Sequence, residues 1–404
     1  DRVFDRHIAY SAHLQQDVTH ATATISSLAP ELLDQGSDVK SIQNNIQEYN
    51  NGELRKALIK ALQQTSPVHI NVPFEEPLYE LSEDIKTVIP EDTTDKPLQD
   101  SINLEEFSKV WKGSERKMIL VGVNQPGEIR QEILDQLAED PSVLIFTETT
   151  SNLHHPKSFS SIDSIIAPIE KSKDKIKEFK TLRPEVLLTF GGLIVSKKIK
   201  AFLRDYKPDF HWHIHPIKAF DTFYCLTDHI KSEPNVFLEQ LITDQTGVPS
   251  TYRDFWLERK NYTLSKRAQY LEQIPFSDFK AFAYLIKSIP NSYMVQLANS
   301  STVRYAQLFD MSKSNPVFCN RGTSGIDGST STAVGAALYY NSPTVLITGD
   351  LSFLYDINGL WNNYLRPDLR IVIMNNGGGG IFRILPGKEK IPHFRMKETG
   401  QVRT

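Results

Sequence analysis

Pro343-Thr344-Val345-Leu346-Ile347-Thr348-Gly349-Asp350-Leu351-Ser352 is an apolar run that ends on a Gly-Asp pair. A second run, Arg370-Ile371-Val372-Ile373-Met374, ends on Asn375-Asn376 and four glycines, Gly377 to Gly380. Short apolar runs separated by a polar stretch of helix length read as β-α-β, which makes the two strands parallel neighbours. Their motifs then meet at one sheet edge, the usual ligand crevice of an open α/β sheet. An Asp carboxylate, an Asn amide oxygen and a glycine carbonyl converge there. This set suits Mg²⁺, a hard cation that takes oxygen ligands and is usually bound partly through phosphates. The glycines let backbone approach a diphosphate closely. A glycine cluster alone reads equally well as an ordinary loop. A dinucleotide fingerprint is disfavoured, because these glycines follow Asn-Asn instead of opening a motif with an acidic residue about 20 positions later.

Working outward, a helical pattern from Asp278 precedes two strands, Tyr293–Leu297 and Pro316–Cys319. Each is followed by a small, basic turn: Asn299-Ser300-Ser301-Thr302-Val303-Arg304 after the first and Asn320-Arg321-Gly322 after the second. Both guanidiniums are expected at the same edge as the cation site, where their planar forks suit carboxylates. The alternative is a structural pairing of either arginine with Asp310 or Asp327.

The middle of the chain reads as another α/β unit, with strands over 117–123, 142–146 and 186–190 and an amphipathic stretch from Glu128 to Ala138. Gly191-Gly192 then opens a helix carrying Lys197-Lys198, either an anion site at a helix start or a solvated lysine face. His211, His213 and His215 alternate on a strand and so share one face. Imidazoles there suggest a metal, but no carboxylate or cysteine is spaced to complete the set, and a partly exposed strand face is the preferred reading. Near the start, residues 51–62 have helical spacing and 67–74 are strand-like. Residues 79–101 are acidic, punctuated by proline and without periodicity, as in a linker. The expected fold class is α/β, as successive domains with mainly parallel sheets: 1–78, a linker 79–104, a central domain 105–270 and a last domain 271–404.

The composition, 40% hydrophobic and 23% charged over 404 residues, allows two or three domains with large cores. A net charge of −4 gives no reason to expect nucleic acid or an acidic membrane surface as partner. The two cysteines, Cys225 and Cys319, form no framework, and with neither a signal peptide nor a spanning apolar stretch a cytoplasmic location is expected. The first residue is Asp1, and the chain stops soon after the last motif, so a fragment is expected.

Three ordered stretches, Asn320-Arg321-Gly322-Thr323-Ser324-Gly325-Ile326-Asp327-Gly328, Gly349 to Asn358, and Gly380-Ile381-Phe382-Arg383-Ile384-Leu385-Pro386, together resemble the 2-succinyl-5-enolpyruvyl-6-hydroxy-3-cyclohexene-1-carboxylate synthase family. The resemblance implies a thiamine-diphosphate-binding fold. It also implies decarboxylation of 2-oxoglutarate and 1,4-addition of the four-carbon fragment to isochorismate, in menaquinone biosynthesis. Mg²⁺, with Mn²⁺ as an alternative, is implied on Asp350, Asn376 and the Gly378 carbonyl. The cofactor is implied to contact Ser300, Ser324, Gly325, Gly349, Leu351, Ser352 and Ile381. Ile326 matches the apolar wedge that bends it, and Ile381, Phe382 and Leu385 match an apolar wall over the reacting carbons. Arg304, Arg321, Lys197 and Lys198 match substrate-binding positions, and a homodimer or homotetramer is implied.

Two departures bear on activity. Gly377 stands where the family has a third Asn. The family's catalytic Glu has no counterpart here, Glu75 and Glu76 being read as linker contacts, so the chain alone is expected to be inactive or nearly so. Other readings stay open: a different thiamine-diphosphate 2-oxoacid decarboxylase or carboligase, or a noncatalytic diphosphate-binding remnant.

Overall fold

The computed structural model describes residues 3–4, 7–18, 26–27, 30–32, 39–64, 66–74, 103–243, 247–379 and 381. Contacts divide the chain into two compact units, Asp1–Gln99 and Asp100–Thr404. The stretch read as a linker lies outside the described residues from 79 to 102, as do Glu75 and Glu76.

The first unit is a β-α-β element. β1 (Tyr10–His13) and β2 (Val68–Asn71) pair in parallel, with Tyr10 opposite Val68, and the helix Val39–Gln64 connects them. The helix predicted over 51–62 is thus the second half of a longer one. Its Glu53 accepts a hydrogen bond from the Tyr10 hydroxyl at 2.8 Å, which ties helix to strand.

The second unit holds two parallel sheets. One comprises β3 (Lys117–Val121), β4 (Val143–Phe146), β5 (Val186–Phe190), β6 (Phe210–Ile214) and β7 (Asp228–Ile230), in the order β4-β3-β5-β6-β7. Successive side chains leave a strand on opposite faces, and here both faces are covered. Ile119, Val121 and Leu188 join one apolar cluster with Trp111 and Phe237. Met118, Leu120 and Leu187 join another with Phe179, Phe202 and Trp256. β3, β4 and β5, buried along their whole length, are therefore mostly apolar runs, which is why they were readable from the sequence, whereas β6 and β7 are not.

The other sheet comprises β8 (Met294–Leu297), β9 (Val317–Cys319), β10 (Thr344–Gly349) and β11 (Leu369–Met374), in the order β11-β10-β8-β9. β10 and β11 are parallel neighbours, with Gly349 opposite Met374. Between them the chain forms a short helix, Asp350–Tyr355, and a 3-10 turn, Ile357–Leu360. Since all four strands are parallel, the turns after Leu297, Cys319, Gly349 and Met374 open at the same edge. The core beneath them includes Phe282, Val295, Leu297, Val345 and Ile347, together with Val195 from the segment before the helix Lys197–Asp205. No helix among the described residues is long and apolar enough to cross a membrane.

Candidate functional site

Beyond β10, Asp350 begins its helix directly. One carboxylate oxygen accepts the Leu351 amide at 2.8 Å, and the other accepts the Gly378 amide at 2.7 Å. Those two bonds join the ends of adjacent strands. Gly377 has φ +77° and Gly378 φ +112°, so the turn after Asn376 follows a left-handed path. Such a path is cheap for glycine, and Asn is among the residues least penalised on it. An Asn at position 377 would therefore suit a similar path.

Asn376 completes the group. Its Nδ2 donates to Asp278 Oδ2 at 2.8 Å, while its Oδ1 is buried without a hydrogen-bond partner. An unpaired buried carbonyl oxygen is costly unless something else satisfies it. Asp278 fixes which end of the amide faces inward, so the orphaned atom is an oxygen. With the Asp350 carboxylate and the Gly378 backbone close by, the residues fit a hard cation. The described residues hold no cluster of three His, Cys, Asp or Glu, so this site would rest on amide and backbone oxygens beside a single Asp. Asp278 is a contributor that sequence reading missed.

These residues line a cavity of about 120 Å³, which also takes in Ser300, Ile326, Gly349, Leu351, Ser352 and Ile381. Ser352 donates from its hydroxyl to the Ile326 carbonyl at 2.5 Å and so pins the predicted wedge. Ser300 has φ +66° and ψ −126°, a conformation that strains a non-glycine residue and tends to cluster at ligand sites. A larger cleft, of about 1060 Å³ and lined by Lys177, Lys180 and Trp256, lies apart from every predicted site residue. The smaller cavity holds the convergent oxygen ligands and is the better candidate.

The turn after β9 is held by Asn299, whose Nδ2 donates to the carbonyls of Asn320 at 2.5 Å and Gly325 at 2.7 Å. Asn299 Oδ1 in turn accepts Arg321 Nη1 at 2.7 Å. Ser324 has a left-handed φ of +64°, and a Cβ on Gly325 would meet Asp327 Oδ1 at 2.4 Å. Arg321 pairs with neither Asp310 nor Asp327; its buried Nε has no partner. Arg304 Nη1 donates to the Ser300 carbonyl at 2.5 Å. Burial, then the charge of Arg321, hold the Arg304 pKa below its usual value, with Asp163 and Glu148 opposing. The arginines thus influence each other beside the central sheet's carboxylates, without lining the smaller cavity.

Lys198 forms an ion pair with Glu170 in a separate groove, and Lys197 is exposed. Phe382 and Leu385 lie outside the described residues. The histidines meet the expectation of a partly exposed face only in part: His213 and His215 are partly exposed, whereas His211 is buried. β6 is an inner strand, His211 is only 1% exposed, and Thr189 Oγ1 bridges His211 Nε2 at 3.0 Å and His213 Nδ1 at 2.9 Å. Burial pushes both imidazoles down to about 4, so they are neutral packing residues.

Residues 299–399, which hold the Gly-Asp, the paired Asn and the glycine turn at the ends of parallel strands, match the family model described as "Thiamine pyrophosphate enzyme, C-terminal TPP binding domain", which puts the chain among the thiamine-diphosphate-binding α/β proteins. The chain is 48% identical to the 2-succinyl-5-enolpyruvyl-6-hydroxy-3-cyclohexene-1-carboxylate synthase of Flavobacterium psychrophilum, over 88% of this chain and 64% of that protein. It is 50% identical to the synthase of the same name from Flavobacterium johnsoniae, over 85% and 62%, and 46% identical to that of Christiangramia forsetii, over 97% and 67%. The chain belongs to the 2-succinyl-5-enolpyruvyl-6-hydroxy-3-cyclohexene-1-carboxylate synthase family, and it spans about two thirds of the length of these curated relatives.

Proposed function

We propose that the protein containing this chain decarboxylates 2-oxoglutarate and adds the remaining four carbons to isochorismate in a 1,4 sense, giving 2-succinyl-5-enolpyruvyl-6-hydroxy-3-cyclohexene-1-carboxylate for menaquinone biosynthesis. The observation that carries this reading is the orphaned Asn376 Oδ1 beside Asp350 and Gly378, in a chain whose relatives bear that name. Thiamine diphosphate, when bound, supplies the electron sink that makes loss of carbon dioxide from a 2-oxoacid accessible.

The chain's own residues would do the rest. Asp350, Asn376 and the Gly378 carbonyl would hold Mg²⁺, or Mn²⁺ in its place, against the diphosphate, with Ser300, Ser324, Gly325, Gly349, Leu351 and Ser352 around the cofactor. Ile326, held by Ser352, would press on its middle. Ile381, with Phe382 and Leu385, would exclude water from the reacting carbons. Arg321, with an unpartnered guanidinium N–H, and Arg304 beside it would take substrate carboxylates. Lys197 would add a cation from the central sheet's side, and Lys198 would have to leave Glu170 to join it.

We also infer a homodimer or homotetramer in the cytoplasm; the two free cysteines suit a reducing compartment. The test is the rate of isochorismate loss with each of 2-oxoglutarate, thiamine diphosphate and Mg²⁺ omitted in turn. The reading requires all three; loss that persists without 2-oxoglutarate would end it.

A further inference from the structure

One turn after β4 reaches in two directions. Glu148, 3% exposed, accepts the Val195 amide on Oε2 and the Ser196 amide on Oε1, each at 2.7 Å. Its own amide donates to Ser151 Oγ at 2.9 Å, which fixes the turn. The segment it grips is a junction. The Val195 side chain sits in the core of the four-stranded sheet, and Ser196 caps the helix that begins with Lys197, its hydroxyl accepting the Ile199 amide at 3.1 Å and donating to Asp163. Placement of Lys197 therefore follows from Glu148.

The same turn ends at Asn152, in a left-handed conformation with φ +49°. Its Oδ1 accepts the Val317 amide at 2.8 Å, and its Nδ2 donates to the Val317 carbonyl at 2.9 Å and to the Asn124 carbonyl at 2.8 Å. β9 is the last strand in its sheet order, so the Asn152 amide takes the place of a neighbouring strand on that edge. Two residues after β9 comes Arg321. The position of its guanidinium follows from Asn152 on one side and Asn299 on the other.

We propose that Glu148 and Asn152 are positioning residues that hold Lys197 and Arg321 at a set separation, as the two sides of a clamp for a dicarboxylate. Neither touches the cavity assigned to the cofactor. The inference rests on the substrate reading above, and the experiment separates the two.

In the intact protein containing this chain, Glu148→Gln, Glu148→Asp, Asn152→Ala and Asn152→Asp are compared with wild type. The readouts are steady-state kinetics in 2-oxoglutarate and in isochorismate, and titration of thiamine diphosphate with Mg²⁺ by thermal shift. Displaced binding groups raise KM for at least one acid by about ten- to a hundredfold in Glu148→Gln and Asn152→Ala, with kcat changed much less. Cofactor affinity stays within about twofold, and Glu148→Asp, which keeps two acceptor oxygens, and Asn152→Asp, which keeps the acceptor for the Val317 amide, recover part of the loss. Unchanged KM values, or KM and cofactor affinity weakened in proportion, would overturn the positioning role. A wild-type protein that does not consume 2-oxoglutarate with isochorismate would overturn the substrate reading itself, and this inference with it.

Discussion

Asn376 carries two amide atoms with different fates: the nitrogen is held by Asp278, and the oxygen is buried and unpaired. If that oxygen meets a cation, Asp278 sets the ligand's orientation from behind. Loss of such an outer partner typically costs 10- to 100-fold in metal affinity. Asp278→Ala is expected to weaken Mg²⁺-dependent thiamine diphosphate binding by about that factor, measured by calorimetry, and Asp350→Ala to weaken it further. Asp350, Asn376 and Gly378 could be singled out as candidates because they follow the ends of two apolar runs. Asp278 was not, because it meets Asn376 across 98 positions and only the folded sheet edge brings them together. Glu148 was hidden for a similar reason, being one acidic residue after one strand until Val195 and Ser196 fold onto it. Burial pushes its carboxyl up to about 7, Asp163 adds to the rise, and the two backbone amides and Arg321 oppose it. The folded chain therefore holds that proton more tightly than the unfolded chain, whose value is near the usual 4.5. Its contribution to stability is complete below about pH 4.5 and is lost as pH rises through about 7. Glu148→Gln, which has no proton to lose at this position, should therefore lose less Tm than wild type between pH 5 and pH 7.5, and equal losses would contradict the burial argument.

At the scale of elements, strands were the most legible feature. β5, β8, β9, β10 and β11 fall where apolar runs had placed them; β5, β8 and β10 are buried almost throughout, as strands covered on both faces are, while β9 and β11 are only partly buried. The stretch between β10 and β11 was expected to be a helix and proved to be a short helix followed by a 3-10 turn, long enough for the crossover. Lone side chains acting on elements were not legible. Asn152 closing the edge of β9 has no periodicity to announce it, and His211 could not be read as buried until Phe223 and Cys225 were seen to pack against it. The glycine turn after β11 gives the sharpest element-scale expectation. With φ +112° at position 378, Gly378→Ala should cost about 1–3 kcal/mol of local strain. It should also abolish the thermal shift produced by cofactor and Mg²⁺ while leaving the far-ultraviolet circular dichroism unchanged. A retained shift would mean that the turn does not hold the cation.

For the whole molecule, the α/β class and the family were readable because three ordered motifs fall within a short span of sequence. The division between Gln99 and Asp100 lies inside the stretch whose proline and acidic residues had suggested a linker. What pattern could not supply is how the central sheet serves the last one. Val195 enters the second core, and Asn152 closes the second sheet, through contacts with no local signature. The proposed reaction is defined by the fate of the carbons of 2-oxoglutarate. The measurement is a reaction of the intact protein with isochorismate, Mg²⁺, thiamine diphosphate and 2-oxoglutarate labelled separately at C1 and at C5, with products followed by mass. The C1 label should leave as carbon dioxide and the C5 label should enter an adduct of isochorismate. Carbon dioxide released with the C5 label left in a free four-carbon product would contradict the proposed reaction.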